Sequence, residues 1–347
     1  MATSRRPATI KDVAAAAGVG IATVSRVFSG TGAVSPATRE RVLAAAAELD
    51  YRPSALGRGL KLRRGGGIGL VVPDVTDPFC ADLMAGVLAC ARSLGEPILI
   101  DETQDDPVRE AGIVDTLLGR RVEGIIALPS GEEAPWRSAA GAGSGVVFAD
   151  RVLPGLPEVP AVLADDRAGV RALTEYLAGL GHRRVAFLGA SAPGAPAGVR
   201  ERAFRDTLAG LGVAVDDDLV VTARPERDSA YAAAAGLLQG RPDVTAVLAA
   251  GHLPGEAAVL VARELDLRVP ADVSIAMVDD VPWAELCDPP LTAVARPGHD
   301  IGYRACELLM RTRSRRAPTG PLLLATELII RGSCGRPRGA RGAGRPS

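Results

Sequence analysis

The 347-residue sequence predicts a small all-α head, with a helix-turn-helix and a hinge helix, followed by an α/β body of two doubly wound parallel-sheet lobes. Two observations predict this fold class. The first thirty residues read as helix, glycine turn and helix, whereas the rest alternates short apolar segments with helical ones. The number of apolar segments exceeds what one open sheet of ordinary width holds, so two lobes are expected.

The first helix is predicted from Thr9, which can cap it together with Asp12 three residues later. Gly18 supplies a turn position at which a positive φ is often needed, and a second helix follows. The apolar residues of both helices recur at helical spacing and define a buried face: Ile10, Val13, Ala14, Ala17, Val24 and Val27.

The opposite face of the second helix carries short or basic side chains, at Ile21, Ala22, Ser25 and Arg26. A helix that reads the major groove of DNA needs this division, because one face packs on its scaffold while the other enters the groove. The alternative is a surface helical hairpin without a ligand. The segment therefore predicts DNA binding, and the charge distribution bears on the choice.

Charge is distributed unevenly along a chain whose formal net charge is −1. Residues 1–64 hold eleven Lys or Arg against four Asp or Glu, a net +7; residues 65–330 carry a net −13 and residues 331–347 a net +5. A basic head on an acidic body suits a protein that neutralises phosphates at one end and avoids polyanions elsewhere. This favours the DNA-binding interpretation.

A third helix and a hinge complete the predicted head. Ser35 can cap a helix that runs to about Asp50. After Pro53 a short hinge helix could run to about Leu60, but its two glycines each cost about 1 kcal/mol relative to alanine. A segment that folds only on DNA could couple the body to the head, and the alternative is a flexible linker ending at residues 65–67.

The body is predicted from its strands. The segments expected to form them are 68–72, 97–100, 124–128, 146–149, 161–164, 185–188, 219–222, 246–249 and 274–278, with two more near 293 and 322–330. Ligands of such sheets bind at the carboxyl ends of the strands, which predicts a cleft between the lobes.

Several classes of protein are disfavoured. No apolar run reaches the roughly 18 residues of a membrane span and the first residues lack a secretion signal, so no membrane partner and a cytoplasmic location are expected. The five cysteines are scattered without a C-x-x-C pair, which argues against a disulfide framework or a zinc site. No nucleophile elbow, Walker loop or metal-ligand cluster is found, so no cofactor, metal or catalytic residue is assigned, and an α/β enzyme is a remote alternative.

The order of motifs resembles the LacI/GalR family, the lactose- and galactose-repressor-like bacterial transcription regulators. The resemblance spans the chain except its last dozen or so residues. It is carried by Ala8-Thr-Ile-Lys-Asp-Val-Ala, Ala22-Thr-Val-Ser-Arg-Val, Val34-Ser-Pro-Ala-Thr-Arg-Glu-Arg-Val, Tyr51-Arg-Pro-Ser-Ala, Ile68-Gly-Leu-Val-Val-Pro-Asp, Leu180-Gly-His-Arg-Arg-Val-Ala-Phe-Leu-Gly, Val269-Pro-Ala-Asp-Val-Ser-Ile, Pro289-Pro-Leu-Thr and Leu328-Ile-Ile-Arg-Gly-Ser.

The resemblance implies a homodimer whose paired heads read a partly palindromic double-stranded DNA operator. By motif position Ile21, Ala22 and Arg26 are expected to read bases, since Arg26 could pair with guanine and the two apolar residues could contact a thymine methyl. Leu60 is expected to wedge into the minor groove. The candidates for phosphate contacts are Thr9, Thr23 and Ser25.

The resemblance also implies a body similar to periplasmic sugar-binding proteins, with a small effector in its cleft. Carboxylates with an arginine suit a polyhydroxylated ligand, and an aromatic side chain could stack on its ring. Gly251-His252 stands where sugar-binding relatives carry Asn-Asp. A sugar is the first expectation; a nucleobase, a phosphorylated metabolite or no small effector are the alternatives. The positions that match the family's cleft are Asp77, Phe79, Asp150, Arg151, Asp165, Arg200 and Asp279, with Trp283 as a second candidate for stacking.

For Asp165 and Asp279 a helix cap or a surface charge is the competing interpretation. The expected domains are residues 1–64 for the head and hinge helix, 65–331 for the body, and 332–347 for a disordered basic tail. The N-lobe would hold about 65–161 and 292–322 and the C-lobe about 162–291 and 323–331, with hinge points near 162, 291 and 323. The functional prediction is an effector-controlled repressor, and the alternative is an effector-independent or protein-coregulated DNA-binding regulator.

Overall fold

The computed structural model describes residues 8–29, 32–51, 66–190, 197–313 and 320–338. The predicted hinge helix, including Leu60, and residues 339–347 of the predicted tail lie outside these ranges. The chain forms two compact units, Met1–Gly66 and Gly67–Ser347. This division places the end of the head two residues later than the sequence predicts.

The described part of the head contains three helices, α1 (Ile10–Ala16), α2 (Ile21–Ser29) and α3 (Pro36–Glu48). Their shared core confirms the predicted buried face. Val13 and Val24 are fully buried against Val42 of α3.

Local signals in the sequence fix where these helices begin and end. The Asp12 carboxylate accepts hydrogen bonds from the backbone N–H and the hydroxyl of Thr9, each at 2.7 Å. Gly18 has a φ of +64°, the left-handed conformation that glycine adopts at little cost. Ser35 accepts a hydrogen bond from the Thr38 backbone N–H at 3.3 Å, as expected for a helix cap.

The body alternates strands and helices. Its first part contains β1 (Ile68–Val72), α4 (Pro78–Leu94), β2 (Ile98–Glu102), α5 (Pro107–Gly119), β3 (Gly124–Ala127), α6 (Ala134–Gly141), β4 (Gly145–Ala149) and β5 (Ala161–Ala164). The middle part contains α7 (Asp166–Gly179), β6 (Val185–Ala190), α8 (Ala197–Gly210), β7 (Val220–Ala223), α9 (Arg227–Gly240), β8 (Ala246–Ala249), α10 (His252–Glu264) and β9 (Ser274–Val278). The last part contains α11 (Pro282–Leu286), β10 (Thr292–Ala295), α12 (Gly298–Arg313), β11 (Leu322–Leu324) and β12 (Glu327–Ile329).

These strands form two six-stranded sheets, one in each lobe, in the orders β11-β5-β4-β3-β1-β2 and β12-β10-β9-β8-β6-β7. All pairs are parallel except β10 with β12. Successive strand residues face opposite apolar cores, as Leu70 and Val71 of β1 do. Helices cover both faces of each sheet, which confirms the predicted doubly wound lobes.

Within the described residues the chain crosses between the lobes three times, and each crossing comes later than the sequence predicts. All of β5 lies in the first sheet, so the first crossing follows Ala164. All of β10 lies in the second sheet, and the chain returns after Ala295; the last crossing lies between Leu324 and Glu327. The expected hinge points near 162, 291 and 323 fall inside or before strands, because each strand pairs to its carboxyl end before the chain leaves the sheet.

Close packing of α12 on α4 returns the chain to the first lobe after β10. A Cβ added at Gly86 of α4 would lie 1.9 Å from the His299 carbonyl oxygen, and one at Gly302 of α12 would lie 2.0 Å from the Leu83 carbonyl oxygen. Only glycine allows the two backbones to approach so closely. These two positions therefore define the helix crossing.

The predicted disordered tail is wrong at its start. Ser333 is fully buried, and its hydroxyl donates to the Ile275 carbonyl at 2.6 Å. The same hydroxyl oxygen accepts a hydrogen bond from the Thr292 N–H at 2.8 Å. The carbonyl of Gly335 lies 2.8 Å from Nε2 of buried His182. The composition predicts disorder from residue 332, but Ser333 and Gly335 form hydrogen bonds with buried polar groups of the second lobe.

Candidate functional site

The first candidate site is the exposed face of α2 in the head. Ile21 is 42% exposed and Ala22 and Arg26 are exposed, whereas Val24 and Val27 of the same helix are buried. The structure thus places the three predicted base-reading residues together on one surface.

The predicted phosphate contacts lie around this surface. Thr23 and Ser25 are half-buried on α2, and half-buried Thr9 precedes α1, where Asp12 accepts its hydrogen bonds. The first turn of α2 starts at Gly20, whose carbonyl accepts from the Thr23 N–H at 2.9 Å. Arg39 of α3 donates to the Val27 carbonyl at 3.3 Å and so ties α3 to α2. The described helices hold the surface in one shape.

The second candidate site is a cavity of about 150 Å³ between the two lobes of the body. Its charged and aromatic walls come from segments that follow strands of both sheets, as expected for doubly wound folds. The polar or aromatic lining residues are Asp74, Asp77, Phe79, Asp105, Asp150, Arg151, Arg200, His252, Asp279 and Arg296. Six of the eight predicted cleft residues are among them.

Two predicted cleft residues do not line the cavity. Asp165 precedes α7, and its carboxylate accepts from the Ala168 N–H at 3.0 Å, so it is the helix cap that was its competing interpretation. Trp283 is half-buried and packs against the core of the second lobe. It therefore does not offer its ring face to a ligand of this cavity.

Arg296 is the central residue of the cavity, although it is not among the predicted cleft residues. It follows β10 at the second crossing, and its side chain is 4% exposed. Its guanidinium donates to Asp150, which follows β4 of the first sheet, and to Asp279, which follows β9 of the second, at 2.9 Å. It also lies 3.7 Å from the centroid of the Phe79 ring, a cation–π contact. One cation therefore joins carboxylates of both lobes.

A second ion pair lies behind the first. Arg200 of α8 donates to the Asp166 carboxylate at 3.2 Å and 3.3 Å and to the Ala250 carbonyl at 2.8 Å. Asp166 also lies 3.1 Å from Nε of Arg296, although the two groups are not aligned for a hydrogen bond. Asp165 is the predicted cleft residue, but its neighbour Asp166 is the one that is buried beside the arginines.

Burial sets the protonation of these groups. It raises the pKa of Asp279 to about 6, against the opposing effect of the Arg200 charge. Burial lowers the pKa of Arg296 to about 10, which still leaves its guanidinium charged at neutral pH. Burial also raises the pKa of Asp166, and Arg200 opposes that shift.

Asp150 and Asp279 occupy matching places in the two lobes. Each follows the fourth strand of its lobe in chain order and has a left-handed backbone, with φ of +63° and +76° respectively. Aspartate tolerates this conformation better than most residues, but it remains uncommon. Such backbone is often found where side chains must be aimed at a ligand.

The outer wall of the cavity contains two further pairs. Arg151 donates to the Asp105 carboxylate in a pair that is almost fully buried. Asp77 caps α4 by accepting from the Cys80 N–H at 3.0 Å, and its other oxygen lies 3.5 Å from Nδ1 of His252. The latter pair spans the lobes, because Asp77 follows β1 and His252 follows β8. Its histidine belongs to the Gly251-His252 pair, for which the resemblance implies Asn-Asp in sugar-binding relatives.

The described residues offer few other chemical features. Within them no three His, Cys, Asp or Glu side chains are grouped to hold a metal ion. Across the same ranges, no helix is both long and apolar enough to cross a membrane. The five cysteines are free thiols.

Comparison with known proteins gives matches over almost the whole chain. Residues 9–54 match the family of bacterial regulatory proteins, lacI family, and residues 174–334 match the periplasmic binding protein-like domain. The HTH-type transcriptional regulator CelR of Thermobifida fusca is 36% identical over 95% of this chain and 99% of its own length. The HTH-type transcriptional repressor CytR of Escherichia coli (strain K12) is 31% identical over 94% of this chain and 96% of its own.

Solved structures give the same result. A complex of the transcriptional regulator CelR with cellobiose aligns over 94% of this chain and 99% of that one, with 32% identity and a TM-score of 0.71. The lac repressor dimer bound to operator and the anti-inducer ONPF aligns over 95% of this chain and 100% of that one, with 25% identity and a TM-score of 0.85. The predicted fold class and the resemblance are both confirmed.

Proposed function

The chain belongs to the LacI family of bacterial regulatory proteins, and from this premise we propose that it is a sequence-specific transcriptional repressor whose operator binding a small effector controls. The exposed face of α2 is the observation that carries the DNA-binding half of the proposal. A buried face with Val24 and Val27 holds the helix, while Ile21, Ala22 and Arg26 are left for base edges.

Two copies of the chain would read a partly palindromic operator. The lac repressor, to which the chain is similar, is a dimer in its operator complex. DNA as the target places the protein in the bacterial cytoplasm. Thr9, Thr23 and Ser25 would contact phosphates, and Leu60 would enter the minor groove. The regulators similar to this chain are named for control of transcription and not for catalysis, and we propose the same for it.

The effector half of the proposal depends on the cavity between the lobes. Asp150 and Asp279 approach one point from opposite sheets, so a ligand that bonds to both would fix the lobes relative to each other. Carboxylates and arginines together suit the paired hydroxyls of a sugar. The cellobiose complex of CelR supports a sugar as the ligand class.

One observation favours the alternative of effector-independent binding. Arg296 already joins Asp150 and Asp279, so the protein supplies its own cation between the lobes. Such a bridge could hold the lobes together without a ligand. In that case operator binding would not respond to any sugar.

Selection from a random duplex library with the full-length chain tests the DNA-binding half. We expect enrichment of a partly palindromic sequence, and each mismatched base pair should cost about 1 to 3 kcal/mol. Recovery of sequences without any shared motif would contradict the proposal.

Titration of the selected operator complex with a panel of sugars, nucleosides and sugar phosphates then separates the two forms of control. A change in operator affinity with one compound supports the effector, and no change with any supports the alternative.

A further inference from the structure

The walls of the cavity carry more negative than positive charge. Five carboxylates line it, against three guanidinium groups and His252. Asp166 adds a sixth carboxylate directly behind the wall. A ligand that enters this cavity therefore meets a net negative field.

The three guanidinium groups are already paired. Arg151 binds Asp105, Arg200 binds Asp166, and Arg296 binds Asp150 and Asp279. Each of these side chains is 16% exposed or less, so the carboxylates cannot turn out to water to release their partners. A phosphate group would have to compete for these cations at the cost of bringing anions together.

Among the described lining residues, Asp77 and Asp74 are the two carboxylates outside the arginine pairs, and Asp77 is the less exposed of them. One of its oxygens caps α4, and the other faces His252 at 3.5 Å. The carboxylate of Asp74, an exposed neighbour, accepts hydrogen bonds from the backbone N–H and the hydroxyl of Thr76, each at 2.7 Å. This part of the wall supplies acceptors for hydroxyl hydrogens and repels anions.

Hydroxyl groups and phosphates differ in what they can offer to the lining carboxylates. A hydroxyl group both donates and accepts, so it can donate a hydrogen bond to a carboxylate oxygen. A phosphate only accepts at neutral pH and leaves the carboxylates unsatisfied.

We propose that the cavity selects an uncharged polyhydroxylated ligand over its phosphorylated counterpart, and that Asp77 is a specificity-determining residue for this choice. The inference rests on the proposed function, since it concerns the ligand of the same cleft. It narrows the expected ligands, because phosphorylated metabolites are among the alternatives that the sequence leaves open.

Calorimetric titration of the full-length protein with matched pairs tests the inference. The probes are glucose and glucose 6-phosphate, ribose and ribose 5-phosphate, and cellobiose and its 6′-phosphate. For any pair that binds, we expect the phosphorylated member to bind at least about tenfold more weakly. Equal or tighter binding of a phosphorylated member overturns the inference and leaves effector control intact.

Asp77→Asn tests the assigned residue. Asparagine caps a helix as well as aspartate does, so the change removes one charge and keeps the start of α4. In this variant the ratio of the affinity for the uncharged sugar to the affinity for its phosphorylated counterpart should fall by about threefold or more. Asp82→Asn is the matched control, because Asp82 is also on α4 but outside the cavity lining, and it should leave the ratio as in the wild type.

The outcomes separate this inference from the function on which it rests. An unchanged ratio in Asp77→Asn overturns the role of this residue. Binding of neither member of any pair, by a protein that still binds its operator, contradicts control by sugars and removes the inference with it. A larger fall in Asp82→Asn than in Asp77→Asn also overturns it, since the effect would then not come from the cavity wall.

Discussion

The surface of α2 and the cavity of the body are built in opposite ways. The residues proposed to read DNA lie within six positions of one helix and face solvent. The cavity draws Asp150, Asp279 and Arg296 from segments up to 146 positions apart, and buries them. A site within one helix is therefore visible as a sequence pattern, whereas a site between two sheets exists only after folding.

The two sites should also respond differently to substitution. A solvent-exposed side chain contributes to binding and little to folding, while a buried charge contributes to both. Removal of the cation shared by the cavity carboxylates should therefore lower stability and ligand affinity together, whereas variants of the α2 surface should lower DNA affinity alone.

The largest effect is expected from Arg296→Met, which leaves three buried carboxylates without their shared cation. We expect the free energy of unfolding, measured in urea, to fall by about 3 to 5 kcal/mol, because removing one partner of a buried ion pair leaves the other charge without compensation. Arg171→Met is the control, since Arg171 and Glu175 form an exposed pair at 4.0 Å and should contribute far less. Similar losses in the two variants would contradict the central role of Arg296.

The next effect concerns the pH dependence of stability. The pKa of Asp279 is raised from 3.8 to about 6 by burial, so the folded state holds this proton more tightly than the unfolded state. The contribution of this group is therefore fully present below about pH 4 and is lost as the pH rises through about 6. The loss should approach about 3 kcal/mol, because one pKa unit corresponds to about 1.4 kcal/mol.

Asp279→Asn removes this titration, and its oxygen can still accept from Arg296. The free energy of unfolding of the variant should gain on that of the wild type as the pH rises from about 4 to about 8. Urea unfolding at several pH values measures the difference. A constant difference across this range would show that Asp279 does not titrate there.

A smaller effect is expected from Arg26→Ala on the α2 surface. Operator affinity should fall by about 1 to 3 kcal/mol, roughly fivefold to 150-fold, if Arg26 pairs with a guanine. The melting temperature and ligand affinity of the body should stay unchanged. Arg41→Ala on α3 removes an exposed charge of the same kind and should reduce the affinity less. Equal losses on operator and random DNA would show a phosphate contact instead of a base contact.

The smallest effect is expected at the start of α3. Ser35→Ala removes the acceptor for the Thr38 N–H and should cost the head about 1 kcal/mol. Hydrogen exchange of the α3 amides in the full-length protein measures this. Ser35→Asn keeps a capping oxygen, so protection should be retained. Loss of protection in both variants would indicate that the hydroxyl acts through another contact.

Much of the fold could be predicted from the sequence. Gly18, the cap at Ser35 and the apolar spacing of Val13, Val24 and Val27 define the head, because they act within a few residues. The strands of the body follow from short apolar runs between helices. The crossings were misplaced by a few residues, because pairing with a neighbouring strand decides where each strand ends.

The cavity could be predicted only in part. Asp150 and Asp279 were found through the family motifs, and the pattern chose Asp165 over Asp166. Adjacent aspartates are alike in sequence, and the start of α7 decides which one caps it and which one points at Arg200. Arg296 had one signal that could have found it, its place directly after a strand that ends in the cleft.

The amino-acid sequence alone predicts a basic helix-turn-helix head, two doubly wound lobes and membership of a regulator family, because local propensities, caps and motif spacing are properties of neighbouring residues. The folded structure is needed to define the ion pairs of the cavity, the positions of the crossings and the burial of Ser333. The physical reason is that the energies of buried charges and of strand pairing depend on groups from distant parts of the chain, which become neighbours only when both sheets have formed.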